Sequence, residues 1–181
     1  EYAGYDPTKT ININETNLPD ENLRSWILEQ DYGSDGVLID AEIANVTEIY
    51  VIDKNIKNLK GIEFFTMLTH LYCNSNLLTS LDVSNNTKLM NLACSNNQLT
   101  SLDLSKNTKL KSLECYCNRI KGEAMDMLIA SLPTIANGDG QMHVINYREE
   151  QNIITIDQVA AAKAKGWIPK YYDGNGNWQE Y

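Results

Sequence analysis

The feature that most constrains this chain is a repeat: compared with itself at a shift of 21 residues, its middle falls into columns. Leu68, Leu89 and Leu110 align, as do Leu71, Leu92 and Leu113, then Cys73, Cys94 and Cys115, then Asn76, Asn97 and Asn118, then Leu78, Leu99 and Ile120. LTSLDVSNNTKL (78–89) and LTSLDLSKNTKL (99–110) are nearly the same words. A looser copy at a spacing of 22 places Val46, Ile49, Val51, Asn55 and Leu59 in the same roles. A single winding of about 21 residues cannot bury its own leucine face. Stacked windings can, and they share one continuous core.

Each repeat has two halves, L-x-x-L-x-C-x-x-N and L-x-x-L-x-V/L-x-x-N. The alternation in each predicts a short strand with its apolar residues on one side, so a strand is expected on both sides of every winding. Neighbouring windings then lie about 4.8 Å apart, and each leucine stacks on its copy. The chain holds 21 Asn against 19 Leu. Asparagine amides at the bends can pair with backbone groups that would otherwise be buried unpaired. Cys73, Cys94 and Cys115 take leucine positions in the inward row and read as small hydrophobes. Cys117 falls at the turn position of Ser75 and Asn96 and is expected at the surface.

These motifs resemble the short leucine-rich repeats of secreted and surface proteins of bacteria. The resemblance implies an α/β repeat solenoid, a right-handed superhelix of parallel strands closed by a helical amino-terminal cap and an α/β carboxy-terminal cap. It divides the chain into a cap over 1–45, repeats over 46–130 and a second cap over 131–181. It also implies a location outside the cell or on its surface. Glu1 in place of Met fits either a mature secreted form or a trimmed chain.

The segment 19–30 (PDENLRSWILEQ) predicts a helix capped by Asp20 or Asn17, with Leu23, Trp26 and Ile27 on one face. The next twelve residues, DYGSDGVLIDAE, resemble a calcium-binding EF-hand loop. Asp31, Asp35 and Glu42 stand at its first, fifth and twelfth positions, Gly36 at the sixth, and Val37 offers its carbonyl. Gly33 and Ile39 lack the usual side-chain oxygens. The loop therefore reads either as a weak Ca²⁺ site, in the range of about 10⁻⁴–10⁻³ M, or as a vestige whose Asp residues cap turns. No cofactor is required by anything in the sequence.

After Ile120, Gly122–Leu132 predicts a helix ended by Pro133, Met142–Tyr147 a strand extending the sheet, and Thr155–Lys165 a second helix. Ile168–Tyr172 and Trp178–Tyr181 flank Asp173-Gly-Asn-Gly-Asn177 as a hairpin. The pair Glu149–Glu150 reads as a solvated charge run.

The formal charge of −9 with only three Arg argues against nucleic acid, and no apolar run approaches the ~18 residues of a membrane span. Motifs for metalloprotease, serine-hydrolase and phosphate-loop chemistry are missing. His70 and Cys73 have an odd spacing that sends them to opposite faces of a strand. With Leu71 and Cys73 inward, the outward set on the first half of the windings is Glu48, Tyr50 and Ile52, then His70, Tyr72 and Asn74, then Asn91, Ala93 and Ser95, then Ser112, Glu114 and Tyr116. Aromatics with polar tips suit recognition. The candidate ligand-binding residues are Tyr50, His70, Tyr72, Asn74, Asn91, Glu114 and Tyr116. The expectation is a non-enzymatic binding module with a protein partner. Carbohydrate at the same face and a spacer with no ligand are the alternatives. The other half presents Ser80, Asp82, Ser84, Ser101, Asp103 and Ser105, a small, acidic, solvated surface.

Overall fold

A computed structural model describes residues 9–146 and 150–181. Its centre is a sheet of seven strands in chain order: β3 (Glu48–Tyr50), β4 (His70–Tyr72), β5 (Asn91–Ala93), β6 (Ser112–Glu114), β7 (Gly140–Asn146), β8 (Trp167–Tyr172) and β9 (Trp178–Glu180). All neighbours are parallel except β8 and β9, which form the hairpin around Asp173–Asn177. Ile49, Leu71, Leu92, Leu113 and Met142 are register partners and form the expected column, each essentially without solvent exposure. Val51, Cys73, Cys94, Cys115 and Val144 are buried too, and all four cysteines are free thiols. Burial holds the Cys73, Cys94 and Cys115 thiols far above their ordinary range, Cys73 at about 12, so they stay protonated and behave as the hydrophobes their row requires.

The bends are closed by asparagines. Asn97 Nδ2 donates to the carbonyls of Cys73 and Cys94, in the previous and its own winding, and its Oδ1 accepts from Leu78 N at 3.0 Å. Asn118 repeats this with Cys94, Cys115 and Leu99. Asn76 begins the series, accepting from Lys54 N and Ile56 N and donating to Val51 and Cys73. Asn55 is not part of it: it is exposed, with a left-handed φ of 56°, and Ile56 enters the core beside it. At the spacing of 22 that sets Val51 beside Cys73, the column of Asn76 falls on Lys54, and Asn55 stands one place beyond it.

The series continues where the sequence repeat has faded. Asn152 donates to Cys115 O and Val144 O and accepts from Ile120 N. Residues 140–146 and 150–154 thus belong to a further winding. The carboxylate of Glu150 forms its bend, accepting backbone N–H bonds from Cys117, Asn146, Gln151 and Asn152. Glu150 is therefore half-buried, not a solvated charge, whereas its neighbour Glu149 and the strand end at Tyr147 lie outside the described residues. This winding also corrects the expectation for Cys117, which is buried because the Glu150 bend lies against it.

The second half of each winding carries no strand. Asp82 and Asp103 accept from Ser84 N and Ser105 N, Asn86 N and Asn107 N reach back to Val83 O and Leu104 O, and Asn86 and Asn107 hold carbonyls of earlier windings. Backbone groups spent on local turns cannot form a second ladder. The apolar residues there, Leu78, Leu81, Val83, Leu99, Leu102 and Leu104, still point inward.

Both ends are covered. Helix α1 (Glu21–Leu28) buries Leu23 and Ile27 against the first winding. Asp20 caps it, accepting from Asn22 N and Leu23 N through Oδ1, while Oδ2 accepts from Lys57 N and Asn58 N of the repeat region. One carboxylate thereby joins cap to solenoid. A two-stranded antiparallel ribbon, β1 (Thr10–Asn12) with β2 (Val37–Ile39), and helix α2 (Asp40–Ile43) complete this cap. At the other end lie α3 (Glu123–Ser131) and α4 (Ile156–Ala164). A capping box of Thr155 and Gln158 starts α4, and Gln158 Nε2 also reaches Asp126 of α3 at 2.7 Å. Trp167 is buried with its Nε1 donating to Pro133 O.

Three stability outcomes follow. Asn97→Leu orphans buried carbonyls in two windings and is expected to cost about 1–3 kcal/mol, read by urea denaturation. Glu150→Ala strips acceptors from four N–H groups and is expected to cost about 2–3 kcal/mol on the same assay. Ser75, Asn96 and Cys117 share one left-handed position (φ 57°, 54° and 52°). Ser75→Asn, which copies the better-adapted Asn96, is expected to raise stability by up to ~1 kcal/mol.

Candidate functional site

The outward face of the sheet is set by the inward columns, since successive residues of a strand alternate sides. Along the register one row reads Glu48, His70, Asn91, Ser112, Gln141 and the next reads Tyr50, Tyr72, Ala93, Glu114, His143, Lys170, Glu180. A third continues through Asn74, Ser95 and Tyr116, held in step by Ser75 N to Ser95 O and Asn96 N to Tyr116 O.

The predicted residues fall into two groups. At one end Tyr50 and Tyr72 stack with ring centres 4.6 Å apart and planes 6° from parallel, and His70 lies 6.3 Å from Tyr72. Tyr50 is 51% exposed. Its hydroxyl donates to Glu48 Oε2 at 2.7 Å, and this bond to a carboxylate is the main reason its phenol is pushed up to about 12. The imidazole of His70 has Thr69 Oγ1 at 2.9 Å and Glu48 Oε1 at 3.8 Å from Nδ1. At the other end are Glu114 and Tyr116. Between the two ends Asn91 is half-buried, while Ala93 and Ser95 point outward yet are buried, forming a low floor between taller side chains. Asn74 Nδ2 donates to Ser95 Oγ at 2.7 Å.

The second group is larger than its sequence-predicted members. Trp178 is its hub, with ring centres 4.5 Å from His143, 5.1 Å from Tyr116 and 5.6 Å from Tyr172. His143 Nδ1 lies 3.8 Å from Glu114 Oε1, repeating the Glu48–His70 pairing. Burial raises the Glu114 carboxyl above its ordinary range, with the Asn74 amide partly opposing, and burial followed by the Lys170 charge lowers the His143 imidazole. Both shifts favour the neutral forms. His143, Tyr172 and Trp178 were not among the sequence candidates. The signal for His143 was available: Met142 occupies the leucine column, which puts its neighbour outward. For Trp178 the signal was the hairpin, which folds β9 back so that Tyr172 and Trp178 are register partners.

The Asp31–Glu42 segment keeps its shape through its own hydrogen bonds. Gly33 N donates to Gln30 O, Gly36 N to Gly33 O, and Val37 N to Asp35 Oδ1. Gly36 has the positive φ (86°) expected of a sharp turn. Gly33 is glycine because a Cβ there would sit 2.4 Å from Ile27 O of α1, so packing, not ligation, dictates the third position. Val37 opens β2 and pairs with Asn12. Asp31, Asp35 and Glu42 are exposed, and among the described residues no three His, Cys, Asp or Glu side chains are grouped to hold a metal ion. Asp173 likewise spends its oxygens on Asn175 N, Asn177 N and Gln179 Nε2. No helix among the described residues is long and apolar enough to cross a membrane.

No protein-family model matches this chain, and no curated protein matches it. Solved structures do. The functional domain of InlJ from Listeria monocytogenes, described as including a cysteine ladder, is 26% identical with a TM-score of 0.61, over 84% of this chain and 32% of that one. The internalin InlF of the same organism is 18% identical with a TM-score of 0.59, over 95% of this chain and 59% of that one. The chain spans less than two thirds of either. It is an α/β repeat solenoid with leucine-rich-repeat windings, similar in fold to these internalins.

Proposed function

We propose that this chain is a non-catalytic binding module, acting outside the cell or on its surface, that holds a protein ligand on the outward face of its sheet. One observation carries the reading. The stacked Tyr50–Tyr72 pair, the Tyr116–Tyr172–Trp178 group and both histidines of the chain lie on that one face, while the opposite side of the windings carries serines and aspartates. Exposed aromatics with polar tips are the side chains that bear most binding energy in protein interfaces. The likeness to the internalin fold supports a recognition role, and the resemblance to repeats of secreted bacterial proteins supports the location. Tyr50, His70, Tyr72, Asn74, Asn91, Glu114 and Tyr116 are the proposed contacts, with His143, Tyr172 and Trp178 added.

The test is a selection of random displayed peptides on the folded chain, alongside a glycan array. Peptide binders should lose about 5–30-fold in affinity on Tyr72→Ala and again on Tyr116→Ala, while Asp82→Asn on the opposite side changes nothing. Binders indifferent to both tyrosines would remove the face from consideration. Glycans bound through the tyrosines, with no peptides, would move the reading to carbohydrate.

A further inference from the structure

The charges of the outward face are as unequal as its aromatics. On β3 to β6 the only charged outward residues are Glu48 and Glu114, and neither has a Lys or Arg beside it in the register. Lys170, on β8, is the register partner of Glu180 and is matched by it. His70 and His143, each 3.8 Å from its glutamate, offset these acids only when protonated. The chain as a whole carries −9. At the first strand the acid and the aromatics coincide. Tyr72 covers one face of the Tyr50 ring, and β3 is the edge of the sheet, so no strand stands on the ring's other side. Glu48 is joined to the same ring through the phenol and is about half exposed at its side chain (47%).

From this juxtaposition we infer that the protein ligand meets the face with basic side chains, and that an arginine or lysine of the ligand lies on the open face of Tyr50 with its charge beside Glu48. A cation within ~6 Å of an aromatic centre is drawn to the ring's electron-rich face. A planar guanidinium can stack there and still present N–H groups to a carboxylate, which a lysine does less well, so arginine is the favoured residue. Glu114, beside the low floor of Ala93 and Ser95, offers the second acidic contact three strands away. An acidic or phosphorylated partner would meet Glu48 and Glu114, neither with a Lys or Arg beside it in the register, and is disfavoured.

This inference rests on the sheet face being the binding surface, and the peptide selection separates the two. The expected result is that selected peptides are enriched in Arg over Lys and in both over Asp and Glu. Their affinity should fall about 10-fold on the Glu48→Gln/Tyr50→Ala double variant and fall further at ~1 M salt, where screening acts within about 3 Å. The Asp82→Asn/Asp103→Asn variant on the opposite side should leave affinity unchanged. Peptides that need Tyr72 and Tyr116 but show no basic enrichment would overturn this inference and leave the binding face standing. Basic peptides whose affinity follows Asp82 and Asp103 instead of Glu48 and Tyr50 would overturn it as a mere response to net charge. Selection of no face-dependent binder would overturn both readings.

Discussion

The fold depends on how a chain that turns inward every 21 residues satisfies the backbone at its bends. A leucine column supplies the drive for burial, but burial strands carbonyls and amides at each corner, where no sheet partner exists. A buried unpaired polar group costs about 1–3 kcal/mol, repeated at every winding. The side-chain amide answers this because it offers two donors and an acceptor from one rigid plane. Asn76, Asn97, Asn118 and Asn152 each bind the winding before and their own. Stacking and bend closure therefore become one event, and a winding slipped out of register would lose both together.

That coupling also fixes which residues meet a ligand. With the asparagine bends and the leucine and thiol columns in place, strand parity leaves no freedom over which side chains point out. The caps serve the same constraint at the ends. Asp20 accepts from Lys57 N and Asn58 N of the first winding, beyond the Lys54 and Ile56 N–H groups that Asn76 takes, and Glu150 supplies the last bend with acceptors where the repeat's own pattern has lapsed. A carboxylate at each end completes what amides do in the middle.

The inward columns, the capping of α1 by Asp20, helix α4 and the final hairpin were legible in the sequence because each rests on local spacing. The misreadings share a cause, which is that a partner distant in sequence decided the outcome. The LTSLD segments alternate like strands, yet Asp82 and Asp103 divert the backbone into turns. Asn55 has the letter of the ladder but stands one place out of its register, where Lys54 takes the position. The winding at 140–154 was hidden because Leu113 to Met142 spans 29 residues while Asn118 to Asn152 spans 34, so no single shift aligns both; the register break between His143 and Ile145 lies in the longer stretch. Cys117 is buried through this unrecognised winding. Of the candidate site, the strands with regular spacing were readable and the β7–β9 contribution was not.

The division of labour between the two sides of the strand has a consequence for how such a face can change. The side chains of Tyr50, Tyr72, Glu114 and Tyr116 leave the strands on the side away from the leucine column, so replacing them alters recognition at little cost to folding. Sites that share no partners contribute nearly independently. The floor at Ala93 and Ser95 belongs to the same outward rows, and its small side chains leave the taller aromatics on either side free to be approached. A repeat with strict inward columns and free outward rows can thus keep one stability while presenting many surfaces. Among the described residues of this chain the outward rows carry tyrosine, tryptophan, histidine and glutamate, and no arginine.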